Sequence, residues 1–205
     1  MTGLIEALEQ LEYWLWQHHP ELARSMVPGL TAGEIDDLLG ELPGQVTQEI
    51  REFYQWTNGS EIFLTPCHLD EPLRIMPLKT AIQYTSEPNS FLEQRINIPK
   101  LIMFWESERW LHLAICDETE ASPILVITDD DFTRLAYSSL TSMVLTNLEC
   151  YQNEIIKIEV RDSWIRLNLD DESSRQEFNA IRNRNNQAFG LASFQERHNL
   201  EIIPI

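Results

Sequence analysis

A chain of 205 residues and 24.0 kDa, 43% apolar and 23% charged, is neither disordered nor fibrous in composition. It is long enough to bury roughly 70% of its unfolded surface without staples. Fifteen Lys+Arg against 33 Asp+Glu leave a net charge of −18, which argues against a general nucleic-acid or anionic-membrane binder, since both need clustered positive charge.

The elements follow in chain order. Leu4, Leu8, Leu11 and Leu15 recur at helical spacing, with Trp14 and Trp16 widening the stripe, and predict a first amphipathic helix that ends near His18-His19-Pro20. Its polar face is acidic rather than basic, so core packing is expected for the tryptophans rather than a membrane surface. Pro28-Gly-Leu-Thr-Ala-Gly-Glu-Ile35 is the clearest start signal in the chain. Thr31 and Glu34 form the capping-box pattern, with Leu30 and Ile35 at the staple positions. A short helix over about 32–40 follows, broken by Pro43-Gly44. A second runs from about Val46 to Thr57, with Val46, Ile50, Phe53 and Tyr54 on one face, and Asn58-Gly59 is expected to stop it as a left-handed cap.

The period then changes. Glu61 to Leu64 reads as a short strand, and Pro77 to Tyr84 as a turn of helix capped at Lys79-Thr80. Leu101–Trp105, Trp110–Cys116 and Ile124–Thr128 are apolar runs rich in β-branched and aromatic residues, and predict a three-stranded antiparallel meander. Ser138 or Ser139 opens a long helix with Leu140, Met143, Val144, Leu148 and Tyr151 inward. Strands and helices without strict βαβ alternation indicate an α+β domain.

Beyond residue 156 two alternating segments, Ile156–Val160 and Trp164–Leu169, read as half-buried strands. Ser174 with Glu177 predicts a helix through Phe178 and Ile181, Arg182 to Gln187 reads as a poorly packed end, and Glu201–Ile205 as a last strand. Charge separates the two parts: residues 1–149 hold 8 Lys+Arg and 24 Asp+Glu, net −16, whereas 150–205 hold 7 and 9. The expected organisation is a domain over 1–155 and a C-terminal extension over 156–205.

Signals for chemistry are few. There is no G-x-x-x-x-G-K-[ST], G-x-G-x-x-G or G-x-S-x-G pattern, hence no local sign of a phosphate cradle, dinucleotide fold or hydrolase elbow. His19-Pro20-Glu21 and Pro66-Cys67 imitate the halves of a zinc-deaminase signature, but Asp70 stands where the second thiolate is needed. Cys67-His68 and His112 with Cys116 are loose pairs, better read as buried cysteines beside surface histidines. An odd count of three cysteines, Cys67, Cys116 and Cys150, with no close pair, reads as thiols in a reducing compartment. The acidic N-terminus is unlike a signal or transit peptide, and no apolar run approaches the ~18 residues of a membrane span. The expected location is the cytoplasm. His18-His19 reads as C-terminal capping. Asp129-Asp130-Asp131, Glu106 and Glu108 read as solvated turns. No catalytic residue, cofactor or metal ligand is expected.

One longer pattern remains. Pro28-Gly-Leu-Thr-Ala-Gly-Glu-Ile35, then Leu42-Pro43, then Glu52-Phe53-Tyr54-Gln-Trp56-Thr-Asn58-Gly59 resembles the SUKH superfamily of bacterial immunity proteins and fungal cell-wall assembly regulators. Ile98-Pro99 before the central strands and Arg134-Leu-Ala-Tyr-Ser-Ser-Leu140 before the last helix are similar to its later motifs. The likeness covers about residues 20–155. The family's usual glycine between the central strands is Glu108 or Arg109 here. The resemblance implies an α+β fold with a mixed, mostly antiparallel central sheet flanked by helices. It also implies a non-catalytic protein-binding function, of the immunity type that neutralises toxin domains such as basic nucleases. The motif residues Pro28, Gly29, Leu30, Thr31, Glu34, Ile35, Trp56, Asn58 and Gly59 would be structural, and the acidic turns at Glu106, Glu108 and Asp129 to Asp131 the contacts for a basic protein partner. Two other readings stand beside it: a scaffold or adaptor whose contacts lie in 156–205, and an enzyme with a scattered site.

Overall fold

The computed structural model describes the chain apart from residues 1–2, 41–45, 64–72, 87–95, 97, 108–109, 117–120, 128–132, 162–163, 169–171, 187–190, 199–202 and 205. Helix α1 (Gly3–His18) buries Leu4, Ala7, Leu8, Leu11 and Leu15, the predicted stripe. Trp16 departs from that expectation: it is 44% exposed, because its position turns it away from the leucine face. Helices α2 (Pro20–Ser25), α3 (Ala32–Leu39) and α4 (Gln48–Trp56) follow.

Strands β1 (Ser60–Phe63) and β2 (Leu73–Ile75), helix α5 (Leu78–Ser86), then β3 (Lys100–Ser107), β4 (Trp110–Ile115), β5 (Ile124–Ile127) and β6 (Thr133–Tyr137) form the middle of the chain. Helix α6 (Leu140–Gln152), β7 (Lys157–Arg161), β8 (Trp164–Asn168), α7 (Glu172–Asn185), α8 (Leu191–His198) and β9 (Ile203–Pro204) complete it. Among the described residues the main sheet has the order β1-β2-β3-β4-β5-β6-β9. Every pair in it is antiparallel except β6 with β9, which is parallel. β7 and β8 form a separate antiparallel pair. This is an α+β fold with a mixed, mostly antiparallel sheet.

The predicted meander is the centre of that sheet. All four residues of β5 and Leu101 to Phe104 of β3 are buried, so both faces of these strands are covered and their sequence reads as continuous rather than alternating. Phe53 of α4 meets Phe104 edge to face at 5.6 Å, and Thr85 of α5 accepts the Ile102 N–H at 3.0 Å. Helix α6 buries the five residues predicted to face inward, and Ser139 caps it with Ser142 in a capping box.

Several local details differ from expectation. Helix α4 is not stopped by a left-handed Asn58-Gly59 cap; Thr57 at its end is extended (φ −149°, ψ 139°), and the chain passes straight into bridge pairing with Pro28. Helix α5 takes its N-terminal acceptor from Asn58, whose Oδ1 accepts the Leu78 N–H at 2.9 Å, not from Lys79-Thr80. α7 begins at Glu172, placing Ser174 inside the helix rather than at its cap. The Asn-Arg run is no loose end: Arg184 pairs with Glu149, Asn185 donates to Thr146 at 3.2 Å, and Asn186 accepts the Ser138 N–H at 2.7 Å. Phe178, Ile181 and Phe194 join the same buried cluster as α1, α4 and the sheet. No helix among the described residues is long and apolar enough to cross a membrane.

Candidate functional site

The motif residues from two distant stretches meet in one joint. Val27 and Asn58–Gly59 exchange backbone hydrogen bonds: Val27 N–H donates to Gly59 O at 3.0 Å and Asn58 N–H to Val27 O at 3.2 Å. The Thr57 hydroxyl donates to Val27 O at 2.8 Å, and the Leu30 N–H to Tyr54 O at 2.9 Å. The strap lies so close to the end of α4 that a Cβ on Gly29 would stand 1.8 Å from the Gln55 carbonyl oxygen. Only glycine fits there. Gly59 has φ +125°, a backbone state L side chains rarely adopt. Thr31 accepts the Glu34 N–H while Glu34 Oε2 accepts the Thr31 N–H at 2.8 Å, and Ile35 is buried beneath them. Trp56 Nε1–H donates to Glu12 Oε2 at 3.0 Å, which ties α4 to α1. The Tyr54 hydroxyl, held well above its usual range by burial, donates to Met76 O at 3.1 Å.

Beside this joint lies a carboxylate that no sequence motif marks. Glu49 is 7% exposed on α4. Its Oε2 accepts N–H groups from Ser122 at 2.8 Å and Leu140 at 3.1 Å; Oε1 accepts the Thr141 N–H at 3.1 Å and the Thr141 hydroxyl. The acid thus sits on the N-terminus of α6, where the helix dipole and unpaired N–H groups of the first turn favour an anion. The Thr47 and Ser122 hydroxyls pair alongside it, and Thr47 caps α4. With four donors on two oxygens, Glu49 is fully engaged as a clamp between α4, α6 and the segment before β5. A signal did exist: Val46, Glu49, Ile50 and Phe53 fall on one helical stripe, so the carboxylate lay on an apolar face.

The predicted partner contacts Glu108, Asp129, Asp130 and Asp131 lie outside the described residues, as do Cys67, His68 and Asp70. Glu106 belongs to β3 by its backbone; its side chain lies outside what is described. His112, expected at the surface, is instead buried on β4 opposite Val126 of β5, because this central strand is covered on both faces. Cys116 and Cys150 are buried thiols, not joined in a disulfide, and burial, helped by Glu149 and Glu177, pushes the Cys150 thiol up to about 12. Such a thiol is a packing group rather than a nucleophile. His18 caps its own helix as expected, its Nδ1 hydrogen-bonded to Trp14 O at 2.9 Å. Among the described residues no three His, Cys, Asp or Glu side chains are grouped to hold a metal.

The outer face of α1 is different in kind. A groove of about 450 Å3 runs along it to Gln152 at the end of α6. Trp14 lines it, stacked with both His18 (4.6 Å, 17°) and Tyr151 (5.0 Å, 21°). Tyr13, 69% exposed, stands at the side, with Glu6 and Glu9 along the rim. The sequence singles out Trp14 and Trp16 but not Tyr13, whose exposure depends on which edge of the leucine stripe packs inward. No protein-family model matches the chain, and comparison with curated proteins gives no match.

Proposed function

We propose that this chain is a non-catalytic protein-binding module of the immunity type to which its SUKH resemblance points, acting by covering a basic toxin domain such as a nuclease. The observation that carries the reading is the joint: Pro28–Ile35, with Val27 just before it, closes on Glu52–Gly59, the second stretch that bears the resemblance, through backbone contacts that glycine at 29 makes feasible. That frame holds α3, α4 and α1 as one support, which is what a rigid binding surface needs. The net charge of −18 supports a basic partner, since opposite fields speed encounter and suppress wrong partners. Neutralisation by occlusion asks for no acid, base or nucleophile from the binder. A scaffold reading would place the contacts in residues 156–205, of which Phe178, Ile181 and Phe194 are buried in the core and not open to a partner.

The test is co-expression with the toxin-type domain encoded beside its gene. A stable complex and restored growth are expected. Absence of such a neighbour, or growth arrest despite full expression of both proteins, would remove the immunity reading.

A further inference from the structure

We infer that the groove on the outer face of α1 is a docking site for an arginine-bearing segment of a basic protein. The inference rests on the binding-module reading for the nature of the partner, and on the groove itself for the place and chemistry of contact.

Glu6 and Glu9 are three residues apart, and Glu9 and Tyr13 four, so carboxylates and phenol ring line one continuous strip of helix surface. Among the described residues no Lys or Arg lines the groove. The strip therefore offers anionic oxygens beside an exposed aromatic ring, the pair of features a guanidinium satisfies together, by charge-assisted hydrogen bonds and by stacking. An ammonium would satisfy the first better than the second. The chain itself shows the second contact on the same helix: the Arg24 guanidinium lies over Trp16, 5.8 Å from its centroid.

Part of the lining is set in advance. Trp14 is stacked with the His18 and Tyr151 rings, and His18 is held by its bond to the Trp14 carbonyl, which lowers the ordering cost when a partner arrives. Tyr13 adds a large contact surface with few torsions to freeze, a residue type enriched among binding hot spots. A tyrosine 69% exposed contributes little to the core, and its ring is accessible to a partner beside the two carboxylates. Nucleic acid and anionic lipid are repelled by the same rim.

The experiment uses the full chain and an oligo-arginine peptide, followed by titration at about 0.15 M salt, where diffuse surface attraction is largely screened. Glu9→Lys and Asp37→Lys change net charge equally; Asp37 is exposed on α3, away from the groove. Glu9→Lys is expected to weaken binding by roughly tenfold, and Tyr13→Ala by about as much. Asp37→Lys should weaken it by less than about twofold. An oligo-lysine peptide should bind the wild-type chain more weakly than oligo-arginine, and Tyr13→Ala should shrink that difference. Unchanged thermal unfolding of the Tyr13→Ala and Glu9→Lys proteins shows that the fold is intact. Equal losses in Glu9→Lys and Asp37→Lys, or no binding of the peptide by the wild-type chain, would overturn the inference. The peptide requires no toxin, so a groove that binds arginine beside a failed growth-rescue experiment would sink the immunity reading alone.

Discussion

Glu49 and Glu9 are the same side chain on two helices of one acidic chain, used in opposite ways. Glu49 is withdrawn from water and surrounded by four donors from Ser122, Leu140 and Thr141. Its desolvation is offset by those hydrogen bonds and by the N-terminus of α6. Glu9 is exposed on the rim of the α1 groove, where it adds to the field without holding the fold. The net charge of −18 thus mixes two populations: acids that organise the interior and acids that a partner would meet. Counting charge cannot separate them; burial and donor geometry can.

The two populations should part most clearly when Glu49 is removed. Glu49→Ala leaves three N–H groups without their acceptor, and should cost about 3–5 kcal/mol of stability. Glu49→Gln keeps one acceptor oxygen but turns an NH2 group toward N–H donors, so an intermediate loss is expected. Denaturant unfolding at constant m reads both. A loss below about 1 kcal/mol for Glu49→Ala would mean that water replaces the carboxylate, and that the clamp is dispensable.

A second contrast lies inside the motif itself. Gly29→Ala forces a Cβ onto the Gln55 carbonyl, so the strap must move away from α4, at about 1–3 kcal/mol. Gly33 lies in α3, where an added Cβ would meet nothing within 4 Å, and Gly33→Ala should stabilise by up to about 1 kcal/mol through helix propensity. Opposite signs from two glycines four residues apart would identify the joint, rather than the helix, as the reason for the first. Thermal or denaturant midpoints decide it; two changes of the same sign would refute the close-approach account.

What could be read in advance was local and periodic. The Thr31–Glu34 capping box, the leucine stripe of α1, the Ser139 cap and the three central strands all repeat or cap within a few residues, and each stands where its pattern placed it. What escaped depends on distance along the chain. β2 is only three residues long, too short for a period of two to register, and β6 is defined by its pairing with β5. The acceptor for α5 comes from Asn58, twenty residues upstream. The Asn-Arg run looked unpacked because its partners, Glu149, Thr146 and Ser138, lie on and just before α6. The groove was half legible: aromatic residues on an acidic helix were visible, but which of them faced water was decided by the packing of α1 on α6.

The smallest expected effect concerns Glu34, an acid intermediate in role between Glu49 and Glu9: exposed, yet tied to its own helix. Its carboxyl is held below the usual range, first by the Thr31 backbone N–H and then by the Thr31 hydroxyl. Because the folded value is depressed, the stabilisation is complete above the unfolded value of about 4.3. It is lost as pH falls through the lower, folded one. An NMR titration of the Glu34 carboxyl should therefore have its midpoint below that of a free glutamate side chain. Thr31→Ala removes the hydroxyl but keeps the N–H, so the midpoint should rise only part of the way. A full return would mean that the side chain carries the effect and that the backbone contact follows from it. No movement would mean that the hydroxyl serves the helix backbone alone, and that the Thr31 N–H holds the Glu34 carboxyl by itself.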